Sequence, residues 1–455
     1  RAGGWALALR AVDASGPVIV LLDDGIELAA RALAALSLGR AFVPVAADIA
    51  PEALLELADA LGAPAVAASD ARRLGSVRAS SPPILLDADG IVPAPLERPA
   101  GPCESLSLAS TSGSTGTPKV VRLLEEEVLG VLDGHFGAAD PNARDVNAMT
   151  LSPATFAVVG LFRGLVLGIV NVCGDPRRVP LPALVRRWQE RRVTFLRLVP
   201  SVLRRVVRAV PEGQLLDALR VVQLTGETLT WSDVATTRRV LPTTAVIHNR
   251  FGMTEVGEVA IREVGAADAL GVGAVPIGRA LPGRRVRIER EPGVETEVDE
   301  VGELVLEGAF RRIAPQAEPL VGGGWRLRTG DLARRDAAGE VHLLGRLDRM
   351  VKVSGVRVEP AVVEDAIQSV PGVSDVVVAP VLVSSGAMVL VAFVVVADGT
   401  AIDADVLRVA VARAAPTAAV PARFVLRTEP FPQLTTGKAD VGRLVDELGG
   451  PTYAG

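Results

Sequence analysis

Short apolar runs alternate with helix-period segments through the first half of the chain, and this alternation constrains the fold more than any other feature. Residues 17–22 (PVIVLL) read as a buried strand and residues 25–38 as a helix. Residues 41–45 are a strand again, and the next helix puts Leu54, Leu57, Ala58 and Leu61 on one face. The pattern recurs with strands at 170–173, 194–198, 219–224 and 245–248 and helices at 181–192, 201–210 and 232–241. Strands separated by helices of this length predict βαβ units around a mostly parallel sheet, an α/β fold. From about residue 286 the texture changes to short strands with Gly, Glu and Asp turns, such as 302–306 and 340–344, which predicts a small β subdomain. After Asp348 a β-α-β-β-α plan covers the last stretch, with strands at 350–353, 373–378 and 389–396 and helices at 360–369 and 403–414. The expected division is a large domain over 1–347 and a small, mobile α+β domain over 348–455. Residues 1–10 read like the middle of a helix, so the chain is expected to lack its true start.

A length of 455 residues with 49% apolar side chains can bury the core this plan needs. The net charge of −5 is dispersed and gives no reason to expect nucleic acid or an anionic membrane as partner. The apolar residues are mostly Ala and Val, interrupted too often for the run of about 20 that a spanning helix needs. Cys103 and Cys173 are the only cysteines and lack metal-ligand spacing, which fits a reducing cytoplasm. His135, His248 and His342 have no partner spacing for a metal site or a triad and read as structural.

The basic residues carry more information. Of 48, only Lys119, Lys352 and Lys438 are lysine. In a chain that uses Arg wherever either cation serves, those lysines mark places that call for a compact ammonium on a flexible stem, or else survive by chance. The first lies in LASTSGSTGTPKVVR, residues 108–122, where an apolar strand runs into a hydroxyl- and glycine-rich segment and out again. Gly113 and Gly116 let such a segment turn tightly, leaving amides and the hydroxyls of Thr111, Ser112, Ser114 and Thr115 to surround phosphate oxygens, with Lys119 adding charge. The spacing is not that of a Walker loop. A plain Ser/Gly linker is the alternative, but linkers seldom sit between two apolar strands.

STSGSTGTPK resembles the phosphate loop of the adenylate-forming superfamily, which includes acyl- and aryl-CoA synthetases, nonribosomal-peptide adenylation domains and luciferases. Further motifs follow in that family's order. AFVPVAADIAP at 41–51 is similar to its early A-Y-V-P-L-x-P segment, and Gly226-Glu227-Thr228 to its G-G/A-E-x turn. NRFGMTE at 249–255 resembles N-x-Y-G-x-T-E, and RTGDL at 328–332 matches without a difference. GRLDRMVK at 345–352 resembles the hinge, and Thr436-Gly437-Lys438 the terminal N-G-K.

The resemblance implies ATP and Mg²⁺ as cofactors and a small carboxylic acid as substrate. It implies Glu255 as the magnesium ligand and Thr254 as a donor to the α-phosphate. It implies Phe251 and Asn249 against adenine, Asp331 on the ribose diol and Arg346 on sugar or phosphate. Lys438 is implied as the catalytic ammonium between the attacking carboxylate and the α-phosphate. Asp348 becomes the hinge about which the small domain swings, and Gly355 the lining of a narrow thiol channel. Left to themselves, Asp331 could be a turn residue and Glu255 a surface acid. All three lysines fall at positions in these motifs, an agreement between two different observations.

By ungapped counting, the acid pocket is expected to include Thr155, Phe156, Val159, Arg197, Gln223, Thr225, Arg250, Glu258 and Val259. Amino-acid-activating relatives place an Asp where this chain has Thr155, and residues 151–161 contain no carboxylate. A neutral Thr cannot pair an α-ammonium, so a standard α-amino acid is disfavoured. Arg197 and Arg250 suggest a second carboxylate or another acceptor-rich group on the substrate; alternatively Arg250 pairs with Glu258 and Arg197 faces solvent. The activity expected is acyl-adenylate formation, followed by transfer to the phosphopantetheine thiol of a carrier protein in natural-product biosynthesis. Free coenzyme A as acceptor, or an inactive binding homologue, remain open.

Overall fold

The computed structural model describes residues 2–12, 16–22, 25–46, 51–63, 65–68, 84–86, 94–95, 107–112, 118–123, 142, 144–150, 164, 167–174, 176, 179–253, 256–271, 273–308, 317–321, 323–347, 351–353, 356–383, 387–397, 399–415, 417–432, 439–449 and 452–453. Two units can be distinguished, one of residues 1–196 with 254–256 and one of 197–253 with 257–455.

In the first unit, β1 (Val18–Leu22) pairs in parallel with β2 (Phe42–Ala46) and β3 (Ala65–Ala67), and β3 with β4 (Ile84–Leu86). Beyond β2, β5 (Ser107–Ser112) adds in parallel and β6 (Pro118–Leu123) closes the edge antiparallel to β5. The apolar runs are continuous because both sheet faces are buried. Val18, Val20, Ala65 and Ala67 pack with α1 (Ala2–Arg10) and α2 (Gly25–Ser37). Their neighbours Ile19, Leu21 and Val66 pack on the opposite face with Leu54 and Ala58 of α3 (Pro51–Leu61). Arg31 of α2 is fully buried, donating to the carbonyls of Glu27 and Ala67 at 3.0 and 3.1 Å and lying 5.6 Å from the Trp5 ring centroid. Also in this unit, β7 (Val146–Thr150) pairs in parallel with β8 (Val170–Gly174) and with the start of β9 (Phe195–Leu198), and α4 (Leu181–Glu190) connects β8 to β9.

The second unit continues with α5 (Pro200–Ala209), β10 (Val221–Thr225), α6 (Trp231–Arg238) and β11 (Val246–Met253). β11 runs parallel to β10 and antiparallel to β12 (Gly257–Val264). α6 is only eight residues long, and a reciprocal capping box between Thr230 and Asp233 holds its start. An antiparallel sheet follows, built on β14 (Arg284–Glu291), β16 (Gly302–Gly308), β18 (Trp325–Arg335) and β19 (Val341–Arg346). Short strands complete the periphery: β13 (Arg279–Ala280) on β12, β15 (Val294–Glu295) on β14 and β17 (Glu318–Pro319) on β18.

The C-terminal elements are a hairpin of β20 (Val351–Val353) and β21 (Val356–Val358), helix α7 (Pro360–Gln368), strands β22 (Val373–Leu382) and β23 (Met388–Val396), helix α8 (Ala404–Ala414), strand β24 (Arg423–Arg427), helix α9 (Val441–Asp446) and strand β25 (Thr452–Tyr453). Alternation again sorts the core. Val378, Leu390, Ala392 and Val394 meet α7 and α8, while Ala379, Val391, Phe393 and Val395 meet Leu444 and Val445 of α9. In this stretch the expected elements form, with strands β21, β24 and β25 in addition.

Candidate active site

Several expected positions lie outside the described residues: Gly113, Ser114, Thr115, Gly116, Thr155, Phe156, Val159, Thr254, Glu255, Asp348, Gly355 and Lys438. The backbone around the expected phosphate loop is described. β5 and β6 pair Thr111 with Lys119 and Ser112 with Pro118, so the segment between them joins two adjacent antiparallel strands, as the apolar flanks predict.

Of the expected pocket residues that are described, Arg197 lies on β9, Gln223 and Thr225 on β10, Arg250 on β11, and Glu258 and Val259 on β12. Parallel pairing of Gln223 with His248 and of Thr225 with Arg250 puts these four on one sheet face, with Leu224 and Asn249 on the other. Regular antiparallel pairing would place Val259 opposite Gly252. Instead a bulge after Phe251 pairs Phe251 with Ala260 and Gly252 with Glu258. That one-residue slip brings the Glu258 carboxylate to the Arg250 face. Gly252 has to be glycine, because a Cβ there would stand 2.5 Å from the Gly257 carbonyl oxygen and 2.9 Å from Glu258 Cα.

Glu258 forms ion pairs with both Arg197 and Arg250. With its carboxamide assigned to satisfy its neighbours, Gln223 accepts from Arg250 Nη2 and Nε at 2.9 and 3.2 Å. Arg250 and Gln223 are buried, and Val259 is fully so. Both arginines expected to recognise a substrate acid thus already hold a carboxylate of the protein. The alternative reading is half met: Arg250 does pair with Glu258, but Arg197 joins the same carboxylate instead of facing solvent.

On the opposite face, Asn249 is fixed by donating both amide hydrogens, to the carbonyls of Val275 and Pro276 at 3.1 and 3.0 Å. Its oxygen is then the group available to a donor on a base edge, a narrower role than sequence alone suggests. Phe251 is partly buried beside it on β11.

Asp331 and Arg346 face each other across β18 and β19, with Arg346 Nη1 donating to Asp331 Oδ1 at 3.2 Å. Thr329 sets this corner, its hydroxyl donating to the Leu304 carbonyl at 2.9 Å and accepting the Asp331 N–H at 3.0 Å. Gly345, at φ +135°, is a place where only glycine fits: a Cβ would meet Glu359 Cδ at 2.2 Å. Glu359 uses that approach to accept the Arg346 N–H at 3.3 Å. A carboxylate and a guanidinium fixed side by side can serve a diol and an anionic oxygen respectively.

Gly226, at φ +88°, turns the chain after β10, and Glu227 folds back onto the start of α5. Its carboxylate accepts from Ser201 N at 2.8 Å and Ser201 Oγ at 2.9 Å. Burial raises its pKa, against the lowering effect of those hydrogen bonds and of Arg204. Thr228 beside it is exposed. Sequence reasoning did not single out Ser201, Arg204, Asp233 or Glu359; only Asp233 had a local signature, the T-x-x-D box with Thr230. The two histidines described have acidic neighbours, His248 with Glu263 at 3.2 Å and His342 with Asp336 at 2.8 Å. Among the described residues, no group of three or more His, Cys, Asp or Glu is placed to hold a metal, and no helix is long and apolar enough to cross a membrane.

Known proteins resemble this chain closely enough to place it. It is 33% identical over 273 residues to an L-proline–[L-prolyl-carrier protein] ligase of Pseudomonas fluorescens, covering 58% of this chain and 53% of that protein. It is 31% identical over 348 residues to the syringomycin synthase SyrB1 of Pseudomonas syringae, covering 73% and 56%. The chain thus spans about half the length of these two relatives. Phenyloxazoline synthase MbtB of Mycobacterium tuberculosis is 32% identical over 480 residues, which cover 98% of this chain and 32% of that one. Among solved structures, Klebsiella oxytoca NpsA in complex with 3-hydroxyanthranilyl-AMSN superposes with a TM-score of 0.78 at 22% identity, over 98% of this chain and 92% of that one. The fold is therefore that of the adenylate-forming enzymes, a large N-terminal domain followed by a small C-terminal one. The pattern of the AMP-binding enzyme family matches residues 1–311 and that of the AMP-binding enzyme C-terminal domain matches residues 362–438, and the chain belongs to this family.

Proposed function

We propose that the chain uses ATP to activate a carboxylic acid that lacks an α-ammonium group, and passes the acyl group to the phosphopantetheine thiol of a carrier protein. The observation that carries the substrate class is the engagement of Glu258 by two guanidiniums. Among the described pocket residues it is the sole carboxylate, and an incoming ammonium would have to compete with Arg197 and Arg250 for it. Thr155, where a pairing Asp would be needed, offers no charge.

In the first step a substrate carboxylate oxygen attacks the α-phosphorus of ATP, and the bond to the leaving pyrophosphate breaks. Lys438, from its place in the terminal motif, is assigned to offset the charge that builds there. Thr254 is assigned as a donor to the α-phosphate. The hydroxyl- and glycine-rich segment from Thr111 to Gly116, with Lys119, is assigned to the triphosphate, as is the Gly226-Glu227-Thr228 turn. A magnesium ion on Glu255 would supply the remaining positive charge. The Asp331–Arg346 pair suits the ribose, and the Asn249 oxygen and Phe251 ring suit the adenine edge and face. In the second step the thiol sulfur attacks the acyl carbonyl, its proton is lost and AMP leaves. For this step the region from Asp348 onward is assigned a swing that withdraws Lys438 and presents Gly355 to the pantetheine arm, with 1–347 as the stationary domain. A carrier acceptor is supported by the carrier-protein ligase among the relatives. An ATP-requiring reaction that produces a thioester fits the cytoplasm.

An ATP–pyrophosphate exchange screen tests the first step, using α-amino acids against aryl, fatty, hydroxy, β-amino and dicarboxylic acids. The expected result is exchange at least tenfold faster with an acid lacking the α-ammonium. Preference for a standard α-amino acid overturns the substrate class. Thioester formation with a holo-carrier but not with coenzyme A is expected for the second step, and the reverse replaces the carrier by coenzyme A.

A further inference from the structure

Arg204 on α5 joins two parts of the chain that the two family patterns match separately. Its Nε and Nη2 donate to the two oxygens of Asp233 at 2.7 and 3.2 Å, a fork on one carboxylate. Its Nη1 donates to Asp375 Oδ1 at 3.1 Å. Arg204 and Asp233 lie within residues 1–311, and Asp375, on β22, lies within 362–438. Asp233 cannot swivel away, because the same carboxylate accepts the Thr230 N–H at 3.0 Å to close the cap of α6. Ser201, one turn before Arg204 on α5, holds Glu227 of the Gly226-Glu227-Thr228 turn.

Several carboxyl groups surround Arg204. Burial acts to lower its pKa, but Asp233, Asp375 and Glu227 together hold it above the ordinary value, and it in turn acts on Asp365 of α7. Arg208, one turn further along α5, is the other cation acting on Asp375. Burial lifts the carboxyl groups of Glu227, Asp365 and Asp375 above their ordinary range. Without the Arg204 guanidinium, acids of α6 and the turn would face acids of α7 and β22 with like charge. The contact is also breakable. The Asp375 side chain is 29% exposed, and a pair that wet biases an equilibrium by a factor on the order of five rather than locking it.

We propose that Arg204 is a positioning residue: it holds the C-terminal region in the docked arrangement seen here, and α5 ties that docking to the turn that carries Glu227. The docking holds whatever the substrate is; its effect on turnover rests on the two-step reaction proposed above.

The test uses the full chain with Asp375→Asn, which removes the contact of the C-terminal region and leaves Arg204 on Asp233, with Arg204→Met, and with Arg204→Lys as the conservative variant. Spin labels on α6 and α8 report the distance distribution, and the two half-reactions are timed separately. The expected result is a shift or broadening of the distribution in D375N and R204M and partial return in R204K. The ratio of adenylation to thioester rates should change by about two- to fivefold, while KM for ATP and acid stays within about twofold. An unchanged distribution in D375N overturns the proposal, as does an equal fall of both half-reactions. Should R204M fail to fold, D375N carries the decision. Should no acid be activated at all, the proposed function fails, and the distance measurement still decides the role of Arg204.

Discussion

Glu258 stands between two guanidiniums, and its replacement would leave Arg250, whose side chain is 2% exposed, next to Arg197 with no carboxylate between them. Removing one partner of such a group costs more than the intact group contributes, because the remaining charge stays desolvated. Glu258→Gln is expected to lower stability by about 1–3 kcal/mol in urea unfolding, below the fully buried range because Glu258 itself is 22% exposed. The same change should raise relative exchange rates with dicarboxylic acids, since the charge of Glu258 no longer offsets the two guanidiniums. Unchanged stability and unchanged acid preference together would show that the two arginines are satisfied by other groups. The Arg250–Glu258 pair was one of two readings the sequence left open, while the second pair, from Arg197 to the same carboxylate, was not legible. Counting along the chain finds Arg197, Arg250 and Glu258, but a β-bulge is decided by close backbone packing at Gly252 and leaves no local signature.

At the scale of elements, the helix–strand alternation was readable because both faces of the sheets are buried, which makes strands such as β1 and β23 continuous apolar runs. Some boundaries moved: β11 runs five residues beyond the apolar run at 245–248 because Asn249 to Met253 pair with β12, β22 runs four beyond 378 because Ala379 to Leu382 pair with β23, and α6 ends at Arg238, short of the expected 241. What the sequence does not disclose is which polar groups the packed elements bring together. Asp365 sits on α7 in an ordinary helical sequence, yet burial, foremost, raises its pKa from 3.8 to about 6, with Arg204 lowering it and Asp233 raising it further. The folded state therefore holds this proton more tightly than the unfolded chain. Its contribution to stability is fully present below about pH 4 and is lost as pH rises through about 6. Asp365→Asn, which cannot ionise, is expected to be more stable than the parent at pH 7.5 by about 1–3 kcal/mol, with the gain shrinking toward pH 4.5. Urea unfolding at the two pH values checks this. A gain of equal size at both would assign the effect to packing rather than to the proton.

At the scale of the whole molecule, the order of the motifs was the readable feature, and it is the order of one family from end to end. The proposed division of labour makes Lys438 a residue of the first step alone. Lys438→Ala is expected to slow pyrophosphate exchange by at least 100-fold, in the range attributed to removing one preorganised charge. Thioester formation from a supplied acyl-adenylate should fall far less, and equal losses in the two assays would undo that assignment. The slip between β11 and β12 has a further consequence. Because strand side chains alternate, one extra residue in β12 determines whether a carboxylate or an aliphatic group stands beside Arg250. In the proposed acid pocket, selectivity would be written in the length of a strand as much as in its letters. Two relatives with the same pocket letters at the same counted positions can present different walls to an incoming acid.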